Sequence, residues 1–281
     1  MSDLGGAPRT GWAYLDVALE QPGAVLAFAH RGGAYHPEVE GLENTRAAFE
    51  HAVSLGYDYL ETDVHVTRDG VLLAFHDEVL DRVTDGSGAV ATLAAADVRR
   101  ARVGGREQVP TMADLMHAFP DARFNIDLKS EGAVQPLADL IEAEQAHDRV
   151  LVGSFSPARL RAFRRATGGR VATSGHPLEV VAYLLLPGRL ARLLTRGRVA
   201  ALQVPADRPL RLLGRERRVP VVTRRAVRRA HAGRAHVHVW TIDDAAEIDR
   251  LLDLGVDGIF TDRTDVLREV LVERGRWRER R

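Results

Sequence analysis

Val25-Leu26-Ala27-Phe28-Ala29 runs straight into His30-Arg31-Gly32-Gly33. Five apolar residues in a row read as a strand buried on both faces, the habit of a parallel sheet. The glycine pair reads as a turn, with a helix to follow. An acid/base group and a fixed cation therefore stand at the C-terminal end of a buried strand. In a parallel α/β barrel that end is where chemistry sits. A strand end with a solvated arginine and a turn is the plainer reading of the same nine residues.

Working outward, Asn44 or Thr45 can cap a helix whose apolar face is Ala48, Phe49, Ala52, Val53 and Leu55, with Gly56 as its C′ residue. The second strand is Tyr59 to Val66. Alternation puts Leu60, Thr62, Val64 and Val66 on one face and Glu61, Asp63 and His65 on the other. Two carboxylates and an imidazole on a buried face are costly without a partner, so a metal site is one reading. An exposed edge strand is the other.

Arg68-Asp69-Gly70 signals a hairpin, whose second arm Val71 to Phe75 ends in His76-Asp77. Residues 78–111 read as an insertion, with a helix over Ala91–Ala101, before a helix over Met112–Phe119. The third barrel strand, Arg123 to Lys129, alternates Phe124, Ile126 and Leu128 against Asn125, Asp127 and Lys129. Helices then alternate with strands at Val150–Phe155, Arg170–Ser174, Val199–Val204, Val219–Thr223, Val237–Trp240 and Gly258–Asp262. That rhythm predicts a single (β/α)8 barrel of the TIM type over residues 24–272, with a small insertion after the second strand. Residues 1–23 read as a lead-in that closes the barrel floor, and 273–281 as a frayed, arginine-rich tail.

The composition narrows the function. The 281 residues hold 39 cationic and 39 anionic side chains, so nothing global argues for nucleic acid. Cysteine is absent, which removes disulfides, thiolate metal sites and a cysteine nucleophile. No secretion signal is legible, and the longest apolar stretch, Val180 to Leu186, is too short to span a bilayer; a cytoplasmic protein is expected. Lys129 is the only lysine among those 39 cations. A compact ammonium where a planar guanidinium would not fit is the functional reading; chance, or an internal pair with Asp127, is the other. Residues 180–198 interleave leucines with Arg189, Arg192, Arg196 and Arg198. Such a segment can make peripheral contact with an anionic membrane; an ordinary barrel helix with a solvated arginine face is the alternative.

With these residues placed, the chain resembles the glycerophosphodiester phosphodiesterase family. The resemblance is carried by His-Arg-Gly-Gly at 30–33, Glu-Asn-Thr at 43–45, Glu-Thr-Asp-Val-His-Val-Thr-Arg-Asp-Gly at 61–70 and His-Asp at 76–77. Asp-Leu-Lys at 127–129, Ser-Phe at 154–155, Val-Trp-Thr at 239–241 and Asp-Gly-Ile-Phe-Thr-Asp at 257–262 complete it. It implies hydrolysis of a small-molecule phosphodiester to glycerol 3-phosphate and an alcohol. It implies His30 and His76 as catalytic acid and base, and Glu61, Asp63 and Asp127 as ligands of one divalent cation, Mg²⁺ or Ca²⁺. Arg31 and Lys129 would hold the phosphate, with Glu43, Phe155 and Trp240 also at the substrate. One departure stands out: the family's third ligand is usually Glu, and here it is Asp127. A lysophospholipase D acting on lipid diesters and a non-catalytic binding barrel are the alternatives. The intact His30, His76, Glu61 and Asp63 argue against the second.

Overall fold

The computed structural model describes residues 6–212 and 215–278. Eight parallel strands make the central ring: β1 (Leu26–His30), β2 (Tyr59–Val66), β3 (Arg123–Leu128), β4 (Val150–Gly153), β5 (Ala172–Thr173), β6 (Ala201–Pro205), β7 (His236–Trp240) and β8 (Gly258–Thr261). Their order is β5-β4-β3-β2-β1-β8-β7-β6. A parallel bridge between Ser174 and Ala201 brings the two ends of the ring together. Helices cover the outside, so this is the (β/α)8 barrel that the rhythm of the sequence predicts.

Alternation along the strands sorts residues into two cores. Ala27, Ala29, Leu60, Val64, Phe124, Ile126, Val150 and Val152 pack outward with the helices. Leu26, Phe28, Tyr59, Leu151 and Phe260 fill the interior, and Tyr14 and Leu15 of the lead-in close it from below. The next inward positions along β1, β2 and β3 are His30, Glu61, Asp63, Asn125 and Asp127. The strands that bury hydrocarbon low in the barrel thus deliver charge at its upper rim.

The turn after β1 depends on its glycines. Gly32 and Gly33 have φ of +87° and +82°. A Cβ on Gly32 would fall 2.7 Å from Ala48 Cβ, and one on Gly33 would fall 2.5 Å from Thr264 Cγ2. Arg31 itself is left-handed at φ +49°, a conformation that costs about 1–2 kcal/mol for a residue with a Cβ. The following helix, Arg46–Ser54, is capped by Thr45, whose hydroxyl accepts from the Ala48 amide.

Three expectations are corrected. The strand read at Val219–Thr223 is not a stave of the barrel: Arg215–Pro220 pairs antiparallel with Asp207–Leu212 as a ribbon beyond β6. Arg208, Arg217 and Arg218 are exposed there, as suits a two-stranded ribbon in water rather than a buried stave. The helix read over Ala91–Ala101 is a 3-10 turn at Val90–Thr92 and a four-residue helix at Ala95–Val98. They cap a small core that the insertion shares with the hairpin arm, around Leu73, Phe75, Leu80, Val98 and Val109. The tail is not frayed as far as Arg278. Trp277 is buried edge-on against Tyr57, with ring centres 5.1 Å apart, and Arg276 donates to the Gly23 carbonyl at 2.9 Å. Residues 279–281 lie outside the described residues. Among the described residues no helix is long and apolar enough to cross a membrane.

Candidate active site

Strand register assembles the site. His30 lies beside Glu61 across the β1–β2 ladder, and Asp63 lies beside Asp127 across β2–β3. Both pairs point into the upper end of the barrel, where a cavity of about 500 Å³ opens, lined also by Arg31, His76, Lys129, Phe155 and Trp240. Of the site residues that the resemblance implies, all except Glu43 line this cavity, and His65, on the same strand face as Glu61 and Asp63, does not. Glu43 stands behind it, 3.3 Å from Arg31 Nη1.

His30 is held from both sides. Its Nδ1 lies 2.9 Å from Asp262 Oδ1 and its Nε2 lies 3.8 Å from Glu61 Oε2. Burial alone would depress the imidazole, but Glu61 and Asp262 outweigh it and raise the pKa. His76 sits at the other lip. Its Nδ1 is 2.5 Å from Asp77 Oδ1, and its carbonyl accepts from His65 Nε2 at 3.0 Å. His65, which shares a face with Glu61 and Asp63, thus steadies the loop that carries His76.

The carboxylates differ by environment. Glu61 is pushed up to about 7 by burial and by Asp63, against the pull of His30 and Arg31. Burial also works against ionising Asp63, yet Lys129 and Arg31 hold it below the ordinary range. Lys129 Nζ lies 3.0 Å from Asp63 Oδ1 and 2.7 Å from Asp127 Oδ2. Arg31 puts its Nε 3.2 Å from Asp63 Oδ2, and its backbone amide donates to Glu61 Oε2 at 3.1 Å. The donor set of Glu61, Asp63 and Asp127 is all oxygen, which suits a hard cation. With the ammonium between Asp63 and Asp127, no three His, Cys, Asp or Glu side chains among the described residues stand together at metal-holding spacing. The chemistry of the donors fits a divalent ion, and the ammonium now fills the place between two of them.

Some site residues carried no role in the sequence reading. Asp262 directly follows β8, which pairs with β1; closing the ring from the strand rhythm would have put it beside His30. Asn44 donates to Asp63 at 3.4 Å and accepts from Thr62 at 2.8 Å. Arg82, in the insertion, meets both Glu43 and Asp77; nothing local in the sequence marks it.

The profile of the glycerophosphoryl diester phosphodiesterase family matches residues 30–266. The chain belongs to that family. Over 280 residues, 99% of each chain, it is 41% identical to a protein of Mycobacterium tuberculosis (strain ATCC 25618 / H37Rv) named a probable glycerophosphodiester phosphodiesterase 2. It is 26% identical over 270 residues to the lysophospholipase D GDPD1 of Rattus norvegicus, covering 86% of this chain and 85% of that one. The crystal structure of a glycerophosphodiester phosphodiesterase from Agrobacterium tumefaciens superposes with a TM-score of 0.69 at 24% identity, covering 87% of this chain and 99% of that one. Membership makes the chain a phosphoric diester hydrolase and supports glycerophosphodiesters as its substrates.

Proposed function

We propose that the barrel hydrolyses glycerophosphodiesters to glycerol 3-phosphate and an alcohol, with His30 and His76 as the acid/base pair. The reading rests on one observation: two imidazoles, His30 and His76, and the carboxylates Glu61, Asp63 and Asp127 face the same cavity as Arg31 and Lys129. Asp262 and Asp77 orient the two rings through Nδ1, which leaves each Nε2 for the substrate. One ring takes the proton of the attacking hydroxyl or water; the other gives one to the leaving alkoxide. Arg31 and Lys129 hold the phosphate and oppose the charge that grows on it. Glu43 keeps Arg31 in place. Phe155 and Trp240, edge to face with ring centres 5.9 Å apart, form the wall for the organic part of the substrate.

Glu61, Asp63 and Asp127 are the residues that would hold Mg²⁺ or Ca²⁺. A hard cation bound there would draw charge from the phosphoryl oxygens. Asp127 is one methylene shorter than the family's usual Glu, and on β3 its carboxylate already reaches Lys129 at 2.7 Å. The test is turnover of a panel of diesters with Mg²⁺, with Ca²⁺ and with EDTA. Glycerol 3-phosphate as a product, lost on chelation and restored by one of the ions, supports the reading. A well-folded protein inert to every diester sinks it.

A lipid diester is the second reading, favoured by the far wall of the cavity. Pro177, Val180, Val181, Leu184 and Val221 give it an apolar side facing the charged one. Glycerophosphocholine and lysophosphatidylcholine in the same panel separate the two substrate classes.

A further inference from the structure

The face beside the cavity mouth is built the wrong way round for water. Helices Pro177–Leu185 and Gly188–Leu194 follow β5. On the first, Leu178, Val181 and Leu185 follow one edge at i, i+3 and i+7, and all are exposed. On the second, Leu190, Leu193 and Leu194 are exposed. Leu178 and Leu185 are each 68% accessible, Leu193 is 73% and Leu194 is 61%. A solvated arginine face was one reading of this stretch; Arg189, Arg196 and Arg198 are indeed solvated, and leucines face out beside them.

Packing explains the orientation. Gly188 lies so close to helix Arg224–Ala232 that a Cβ on it would fall 1.9 Å from the Arg229 carbonyl oxygen. That contact, with Ala191 buried, commits the small side of the second helix inward and turns its leucines out. Val180 and Leu184 of the first helix line the cavity. Val181 reaches the cavity edge, while Leu178, Leu185, Leu190, Leu193 and Leu194 neither fill the core nor line the site; together they form a ridge at the mouth, and such ridges mark interaction surfaces.

Charge identifies the partner. The chain is neutral overall, yet residues 177–234 hold fourteen arginines against three carboxylates, Glu179, Asp207 and Glu216. Glu179 is taken by Arg164 at 2.7 Å and Asp207 by Arg218 at 2.6 Å. Arg189, Arg196 and Arg198 are exposed around the leucine ridge, as are Arg208 and Arg217 on the ribbon. Cations surrounding exposed leucines match a surface that is anionic at its face and hydrocarbon beneath. Nucleic acid would use the arginines but leave the leucines without a role.

We propose that the two helices, with the exposed Arg208 and Arg217 of the ribbon, dock this enzyme on anionic lipid bilayers, with the cavity mouth turned to the membrane. The proposal extends the lipid-diester reading, but docking itself is measured without turnover.

The test is co-sedimentation of the full chain with phosphatidylcholine vesicles, alone and doped with phosphatidylglycerol, at physiological ionic strength. Two variants accompany it: Leu185→Ser/Leu193→Ser/Leu194→Ser and Arg189→Glu/Arg196→Glu. None of these residues lines the cavity, so turnover of soluble glycerophosphocholine and the melting temperature should stay as in wild type. Wild type should pellet with the anionic vesicles, and each variant should lose about tenfold or more in affinity. Wild type left in the supernatant with both vesicles overturns the proposal. So does binding unaffected by either variant, tighter binding to single-stranded RNA than to vesicles, or a dimer in solution that the leucine variant converts to monomer. Vesicle binding by a protein inert to every diester upholds docking and defeats the catalytic reading instead.

Discussion

Arg82 meets Glu43 with two parallel contacts, Nη1 to Oε2 at 2.9 Å and Nη2 to Oε1 at 2.7 Å. The same guanidinium donates through Nε to Asp77 Oδ2 at 2.6 Å. One arginine of the insertion therefore joins the carboxylate behind Arg31 to the carboxylate behind His76. Arg82 touches neither the cavity nor the reacting groups, so its part is positioning. Its hydrogen bond is the main reason that Asp77 is held down at about 2.

Arg82→Lys keeps the charge but cannot grip two carboxylates at once. Steady-state kinetics should show kcat falling by about tenfold or more, with little change in melting temperature. The acid limb of the rate profile should also move to higher pH, because Asp77 without Arg82 takes a proton more readily. Wild-type kinetics with an unmoved acid limb would remove Arg82 from the machinery.

Lys129→Arg should be damaging although the chain uses arginine almost everywhere else. Nζ fits between Asp63 and Asp127 at 3.0 and 2.7 Å, and a guanidinium is bulkier than that space. A drop in kcat/KM equivalent to about 2–4 kcal/mol is expected, the usual range for losing one electrostatic stabiliser. Lys129→Ala measured beside it decides the point: arginine active where alanine is dead would mean that charge alone matters.

Saturating Mg²⁺ or Ca²⁺ should raise the melting temperature, because the carboxylates converge only in the folded chain. At a hundredfold excess over Kd the stabilisation is about 2.7 kcal/mol. Asp127→Asn should remove most of that shift. Equal shifts in the variant and wild type would place the cation elsewhere.

His238 supplies a pH test away from the cavity. It is fully buried against the stacked rings of Phe28 and Phe260, and neither ring nitrogen has a hydrogen-bond partner. Burial and then His236 push its pKa down to about 3, with Asp257 opposing. Between pH 6.5 and 3 the unfolded chain binds a proton here that the folded chain does not, so stability falls as pH drops through that window. His238→Phe should flatten the pH dependence of unfolding by about one proton, or about 1.4 kcal/mol per pH unit. An unchanged slope in denaturant titrations between pH 6.5 and 5 would contradict this.

Alternation made most of the site legible. Inward Glu61, Asp63 and Asp127 could be read because period two survives in a strand whatever it packs against. His30 and His76 were legible because each ends an apolar run. What stayed hidden depends on partners distant in sequence. Arg82 is one of 38 arginines, and only the folded insertion brings it to Glu43. The 215–220 ribbon failed for the opposite reason: it has strand character, and strand character does not say which sheet receives it. Trp277 looked like tail because its partner, Tyr57, lies more than two hundred residues upstream.

The crowding of arginines into residues 177–234 means that the rest of this neutral molecule is correspondingly acidic. Such a molecule has no monopole but a large electric dipole. It should be retained by a cation exchanger at pH 8, above its pI of about 7.2, because the resin sees a pole rather than a sum. Near a negatively charged surface the same dipole exerts a torque before any contact forms, so the molecule turns its cationic pole forward as it arrives. Its encounters would be pre-oriented, and that advantage should fade as salt shortens the reach of the field.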